Sequence, residues 1–383
     1  MVLTVRSITA NEHREWISRR PSVSFLQLPE WGSVKVGWNS ESVGWFDGST
    51  IIGAGLVLYR PIPKLESRSL AYIPEGPDID WLGEVHPEAT LDNWLEPLLA
   101  HCKAKGAFQV KMGPALATRR WQAATIKTAV AEWSDNGSNP PARISGLLAD
   151  WHSSSALQIA DRLRSRGWRQ ESGDEAGFGD VQPRYVFQLA LAGRSLDDIF
   201  ADFNQLWRRN IRKAEKAGVE VAQGTLRDLA DFHAIYVETA ARDHFTPRGL
   251  SYFERMWKEL NGIDPSRLSL HIAKHQGHVA AATLMVRVGR HAWYSYGAST
   301  TADRDVRPSN ALQWAMICDA HAAGCDFFDL RGIADTLNPA NHLFGLVQFK
   351  LGTGGFAQEY LGEWDYVLRA TWARAYRAYQ KNR

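Results

Sequence analysis

Ala322-Ala323-Gly324-Cys325-Asp326-Phe327-Phe328-Asp329-Leu330-Arg331 reads as a helix end, a glycine cap and the start of a short strand. Ala104-Lys105-Gly106-Ala107-Phe108-Gln109-Val110-Lys111-Met112-Gly113 repeats that order in the first half of the chain. Glycine closes helices in this way because it enters the left-handed conformation without a Cβ penalty. Two such junctions, each leading into an apolar strand, point to a duplicated unit.

The segments around the two junctions match as well. In the first half a strand at Leu3 to Arg6 precedes a Thr9-x-x-Glu12 capping box and a helix over Glu12 to Arg19. A hairpin turns at Asp47-Gly48 between Val43 to Phe46 and Ile51 to Tyr59, and a strand at Ser69 to Ile73, a helix at Leu91 to Lys105 and a strand at Phe108 to Met112 follow. The second half runs through a strand at Val219 to Ala222, helices at Leu226 to Ala241 and Leu250 to Leu260, and a strand at Leu268 to Ala273. A turn at His275-Gln276-Gly277 then leads to strands at Val279 to Val288 and His291 to Gly297, a helix at Ala311 to Ala323 and a strand at Asp326 to Leu330. A meander followed by a helix and a further strand predicts an α/β fold of two tandem N-acetyltransferase-like (GNAT) domains, each a mixed sheet flanked by helices. Glu132 to Pro141, with its Ser, Asn, Gly and Pro, reads as a loop.

At 383 residues the chain exceeds what one hydrophobic core organises, and 45% apolar with 22% charged residues is the composition of an ordinary globular protein. Cys102, Cys318 and Cys325 are odd in number and lack Cys-x-x-Cys spacing, so neither a disulfide frame nor a zinc knuckle is implied and the chain reads as cytoplasmic. The longest apolar run, Ile51 to Tyr59, is too short to span a bilayer, and a net charge of +2 demands no polyanionic partner.

Several groups of residues carry chemistry in their own right. His271, His275 and His278 lie close in sequence, but on a strand, turn and strand they are expected to face apart, and no nearby cysteine or carboxylate completes a set; no metal is expected. Where an acyl-CoA site needs a glycine-rich turn at a helix start, the chain has Arg307-Pro308-Ser309-Asn310-Ala311, and proline removes a donor. Arg208, Arg209, Arg212, Lys213 and Lys216 crowd one helix, either as a solvated face or as contacts to RNA phosphates. The basic and aromatic residues of Arg369 to Tyr379 have helical spacing suited to packing on the body of the protein, with tRNA or membrane contact as the lesser reading. Phe349-Lys350 precedes the turn Leu351-Gly352-Thr353-Gly354-Gly355, which lets a substrate approach the backbone.

Seven blocks in order resemble the Fem family of aminoacyltransferases: Ser24 to Lys35, Tyr72 to Pro77, Arg209 to Val219, Arg248 to Phe253, Trp293 to Ser299, Asp329 to Gly332 and Phe349 to Gly355. The resemblance implies transfer of glycine, alanine or serine from aminoacyl-tRNA to the stem peptide of UDP-MurNAc-pentapeptide or lipid II, with no cofactor. It further implies that Lys35 and Arg248 hold the substrate diphosphate, that Tyr252, Tyr294 and Tyr296 line the sugar-peptide channel, and that Phe349 and Lys350 stand at the transfer centre. Residues 1–192 with 365–383 would form the acceptor-binding domain and 193–364 the domain of the transfer centre, working in the cytoplasm with peripheral contact at the inner membrane face. Where many relatives have an acidic residue before a proline, this chain has Gly113-Pro114, so no carboxylate base comes from that position. No heptad stretch supplies a coiled-coil arm, which leaves the helix around Arg208 to Lys216 as the candidate for holding tRNA. Rival expectations are an acyl-CoA-dependent N-acyltransferase acting on a small amine and a catalytically silent RNA-binding protein.

Overall fold

The first helix shows how local chemistry sets the frame. Thr9 Oγ1 accepts from the Glu12 N–H at 3.2 Å while the Glu12 carboxylate accepts from the Thr9 N–H at 2.7 Å, so the capping box closes and the helix Ala10–Ser18 follows. The computed structural model describes residues 1–63, 65–135, 141–170 and 181–381. The chain divides into two compact units, one of Met1–Arg120, Trp151–Arg184 and Glu359–Arg383, the other of Trp121–Asp150 and Tyr185–Gln358.

In the first unit the strands lie in the order Leu3–Ser7, Asn39–Asp47, Thr50–Ile62, Leu65–Ile73, Ala107–Met112, Trp364–Val367 and Arg169–Gln170. Neighbours are antiparallel except Leu65–Ile73 with Ala107–Met112, which are parallel and joined through the helix Leu91–Ala104. Gly106, at φ +88, ends that helix and starts the strand. Trp45, Trp94, Leu98 and Val110 fill the core, and Trp45 Nε1 donates to the Trp94 carbonyl at 2.7 Å.

The second unit repeats the plan. Six successive strands of its sheet are Glu220–Gly224, Leu268–His275, His278–Val288, His291–Ser299, Phe327–Gly332 and Tyr185–Ala190. Among these six one pair is parallel, His291–Ser299 with Phe327–Gly332, and a helix, Pro308–Ala322, precedes a left-handed glycine, Gly324 at φ +74. Phe203, Trp207, Met316 and Phe328 lie in its core. The repeat predicted from the two junctions is therefore a repeat of topology.

Three expectations change. The helix Ala123–Asp135 continues into the stretch read as a loop from Glu132, and residues 136–140 lie outside the described residues. Phe349 and Lys350, read only as the approach to the turn Leu351 to Gly355, sit in the last turn of a helix, Phe344–Leu351. His275 and His278 do share a face, because they are the last cross-strand pair of a hairpin, and Asp303 meets them; only His271 goes elsewhere, to Asp319. A register shift between Ala273 and Lys274, invisible in the local text, separates His271 from the other two. The three cysteines are free. In the C-terminal helix Ala370–Lys381, Tyr376 packs on Phe108 with ring centroids 5.2 Å apart. Among the described residues no helix is long and apolar enough to cross a membrane.

Candidate active site

In the first unit, Pro29 opens a short helix, Pro29–Val34, that ends at Lys35 and sets its ammonium 4.8 Å from the Trp31 ring centroid. Lys35 lines a 410 Å³ cavity together with Trp38, Arg60, Tyr72, Lys111 and Arg169. Arg60 stands 5.5 Å from the Trp38 ring, so aromatic faces carry two of the cations. Cations held over rings in a cleft suit an anionic ligand such as a diphosphate.

Next to this cavity lies a carboxyl that the sequence reading missed. Tyr72 donates to Glu363 Oε1 at 2.5 Å, the Val181 N–H donates to Glu363 Oε2 at 2.8 Å, and Lys111 Nζ lies 3.9 Å from Oε2. Burial pushes the Glu363 carboxyl above the usual range, against the lowering influence of Tyr72 and Lys111. A Cβ built on Gly113 would stand 3.1 Å from Glu363 Cγ, so the absence of a side chain at position 113 leaves room that Glu363 uses. The text Gly362-Glu363-Trp364-Asp365 alternates acidic and aromatic residues at a strand start, which was the one available signal.

In the second unit Lys350 is 3% exposed and donates through Nζ to the carbonyls of Leu330 at 2.8 Å, Arg331 at 3.3 Å and Gly332. These carbonyls converge because Arg331 takes the left-handed conformation, φ 61, at the end of its strand. Burial pushes the Lys350 ammonium down to about 7, with the Asp329 carboxylate opposing. Asp329 is itself buried and accepts from Gln188 Nε2 at 3.0 Å and the Arg331 N–H at 2.5 Å.

Phe349 packs on Trp207, with centroids 4.6 Å apart, and its carbonyl accepts from the indole at 2.8 Å. Both line a 370 Å³ cavity with Asn210, Arg242, Arg304 and Arg307. A Cβ on Gly352 would overlap Cδ1 and Nε1 of that indole. Gly352→Ala is therefore expected to displace Trp207 and to lower stability by about 1–3 kcal/mol, as overpacking does. Urea denaturation checks it, and a wild-type midpoint would refute the close approach.

Tyr252 and Tyr296 share a hydrogen bond of 3.1 Å between hydroxyls, and the Arg248 guanidinium, expected on the diphosphate with Lys35, lies 4.6 Å from the Tyr252 ring centroid. Tyr294 follows on the same strand, partly buried, its phenol pushed up to about 12 by desolvation. Lys35 belongs to the first unit and Arg248 to the second. The helix Gln205–Lys216 buries Trp207, Ile211 and Ala214 and exposes Arg209, Arg212, Lys213 and Lys216, whereas Arg208 is half-buried and donates to the Ala201 carbonyl at 2.5 Å.

Two N-acetyltransferase-like units in one chain, one with a cation-lined cavity and the other with a buried lysine, define a tandem acyltransferase-type fold. The FemAB family profile matches residues 8–262, and an acetyltransferase (GNAT) domain profile matches residues 201–339. The chain belongs to the FemAB family. It is 23% identical to the lipid II:glycine glycyltransferase of Staphylococcus haemolyticus (strain JCSC1435), covering 94% of this chain and 92% of the relative. The protein of the same name from Staphylococcus aureus (strain MRSA252) is also 23% identical over the same shares. Among solved structures, FemX superposes with a TM-score of 0.77 at 20% identity over 97% of this chain and 99% of that one. A tandem GNAT protein from the clavulanic acid biosynthesis pathway gives 0.53 at 11%, over 95% and 98%.

Proposed function

We propose that this protein transfers glycine, alanine or serine from aminoacyl-tRNA to an amine of the stem peptide of lipid II or UDP-MurNAc-pentapeptide, building the interpeptide bridge of peptidoglycan. Full-length likeness to chains named lipid II:glycine glycyltransferase carries the reading. The geometry is compatible with it. The first unit's cavity has the cations for a diphosphate, with Lys35 foremost, and the second unit's cavity has three arginines for the phosphates at an RNA 3′ end. Pro308 opens the helix beside those arginines and withholds the N–H that an acyl-CoA pyrophosphate would use. Transfer takes place in the cytoplasm, and a lipid-linked acceptor is met by peripheral contact with the membrane face.

The reaction is aminolysis of an ester. The acceptor nitrogen attacks the aminoacyl carbonyl, a C–N bond forms, the bond from carbon to the ribose oxygen breaks, and the nitrogen loses a proton. Glu363, beside the acceptor cavity, takes that proton. Lys350 has its three N–H bonds on carbonyls, so it acts by its charge and by holding the Leu330 to Gly332 backbone, while Arg248, Tyr252, Tyr294 and Tyr296 guide the sugar-peptide and Phe349 shapes the transfer centre.

Purified protein, glycyl-, alanyl- or seryl-tRNA and either precursor are expected to yield a lengthened stem peptide by mass spectrometry. No lengthening with any pairing, or acylation from acetyl-CoA instead, overturns the proposal. Reversing Lys213 and Lys216 to Glu is expected to weaken tRNA binding and to flatten its logarithmic salt dependence by about 0.7–0.9 for each phosphate no longer neutralised. A wild-type slope in a filter-binding titration would move the tRNA-binding surface off this helix.

A further inference from the structure

Gln276 and Gly277, both at positive φ of 50 and 85, close the hairpin between Leu268–His275 and His278–Val288 and make His275 and His278 its terminal pair. Directly opposed residues of an antiparallel pair project to the same face. Asp303 reaches them from the loop after the next strand, with Oδ1 2.8 Å from His275 Nδ1 and Oδ2 2.9 Å from His278 Nε2. Thr300 Oγ1 donates to the same carboxylate at 2.9 Å. One donor atom from each of the three residues lies within 4.8 Å of the others.

We infer that His275, His278 and Asp303 form a binding site for a divalent transition-metal ion, with zinc as the best fit. Two imidazole nitrogens and one carboxylate oxygen are the donor set of a borderline ion, and they leave a fourth position for water. Asp303 is buried at 6% exposure while the His278 side chain is 54% exposed, so the anion is fixed and the ion has an open approach. Thr300 orients the carboxylate, the part outer hydrogen bonds play at metal sites. The interactions now shared through protons would pass to the ion, releasing those protons. Asp303 also precedes the turn Arg304–Val306, and Arg304 and Arg307 line the second unit's cavity, so an ion would tether the hairpin tip to the segment that carries those arginines.

The inference goes beyond the transfer reaction and does not rest on it. Untagged protein, stripped with a chelator and dialysed against zinc, is expected to retain about one equivalent at this site, to gain several degrees in thermal midpoint, and to respond to magnesium in neither way. His278→Ala, at an exposed position, is expected to keep its fold and lose both effects, and Thr300→Val to weaken zinc retention roughly tenfold to a hundredfold. Wild-type protein that retains no zinc, or His278→Ala that retains as much as wild type, overturns the assignment.

Discussion

Lys350→Met is expected to lower turnover by about 10²- to 10³-fold, the scale seen when a preorganised group facing developing negative charge is removed. Acceptor affinity should hold, since Lys350 lines neither cavity described above. The variant also takes away the donor shared by the carbonyls of Leu330, Arg331 and Gly332, and the buried Leu330 carbonyl left unsatisfied costs about 1–3 kcal/mol. Turnover must therefore be measured per folded molecule, at a temperature below the lowered thermal midpoint. The pH response separates charge from scaffolding. With the ammonium depressed to about 7 by burial, a reaction that needs the cation slows as pH rises through that value. Stability runs the other way. The folded lysine sheds its proton before the unfolded one, so the burial penalty is full below about 7 and is relieved as pH rises towards 10.5. Both trends should vanish in Lys350→Met, and Asp329→Asn, which removes the opposing carboxylate, should move the kinetic limb to lower pH. A folded Lys350→Met enzyme with wild-type turnover would remove Lys350 from the chemistry.

Glu363→Gln is expected to cost about 10²- to 10⁴-fold in turnover, the usual contribution of a positioned general base. Glutamine keeps the volume and an oxygen able to accept from Tyr72 or Val181, so the packing beside Gly113 survives. The diagnostic lies in the acid limb. Burial raises the Glu363 carboxyl above the usual range, so the carboxylate is lost, and the rate with it, as pH falls through that raised value. Glutamine should flatten the limb. If Glu363 only braces Tyr72 and Lys111, the variant will lose thermal stability and keep the wild-type pH profile.

The duplicated fold was legible because its marks are local: Gly106 and Gly324 end helices at positive φ, and Gly48 and Gly277 turn hairpins. That Tyr252, Tyr296 and Arg248 lie near one another was not legible from spacing, since a helix start and a strand more than forty residues on bring them together. The helix that carries Lys350 was not legible because Phe344–Leu351 is apolar nearly all round and shows no helical period. Glu363 was missed for a different reason. Its partner Tyr72 lies 291 residues away, and nothing in either local text announces the pairing. The same holds for Asp303, which turns a pair of hairpin histidines into a cluster from 25 residues downstream.

The backbone passes from one unit to the other at Arg120, Asp150, Arg184 and Gln358, so each is assembled from separate stretches of chain. The strand Trp364–Val367, which joins the first unit's sheet beside Ala107–Met112, comes after the whole of the second unit in chain order. A nascent polypeptide thus holds the opening meander with that edge unzipped until Trp364–Val367 has been made, and the second unit can mature before the first. Splitting the gene anywhere between codons 121 and 358 would leave the opening strands of the first unit without Trp364–Val367.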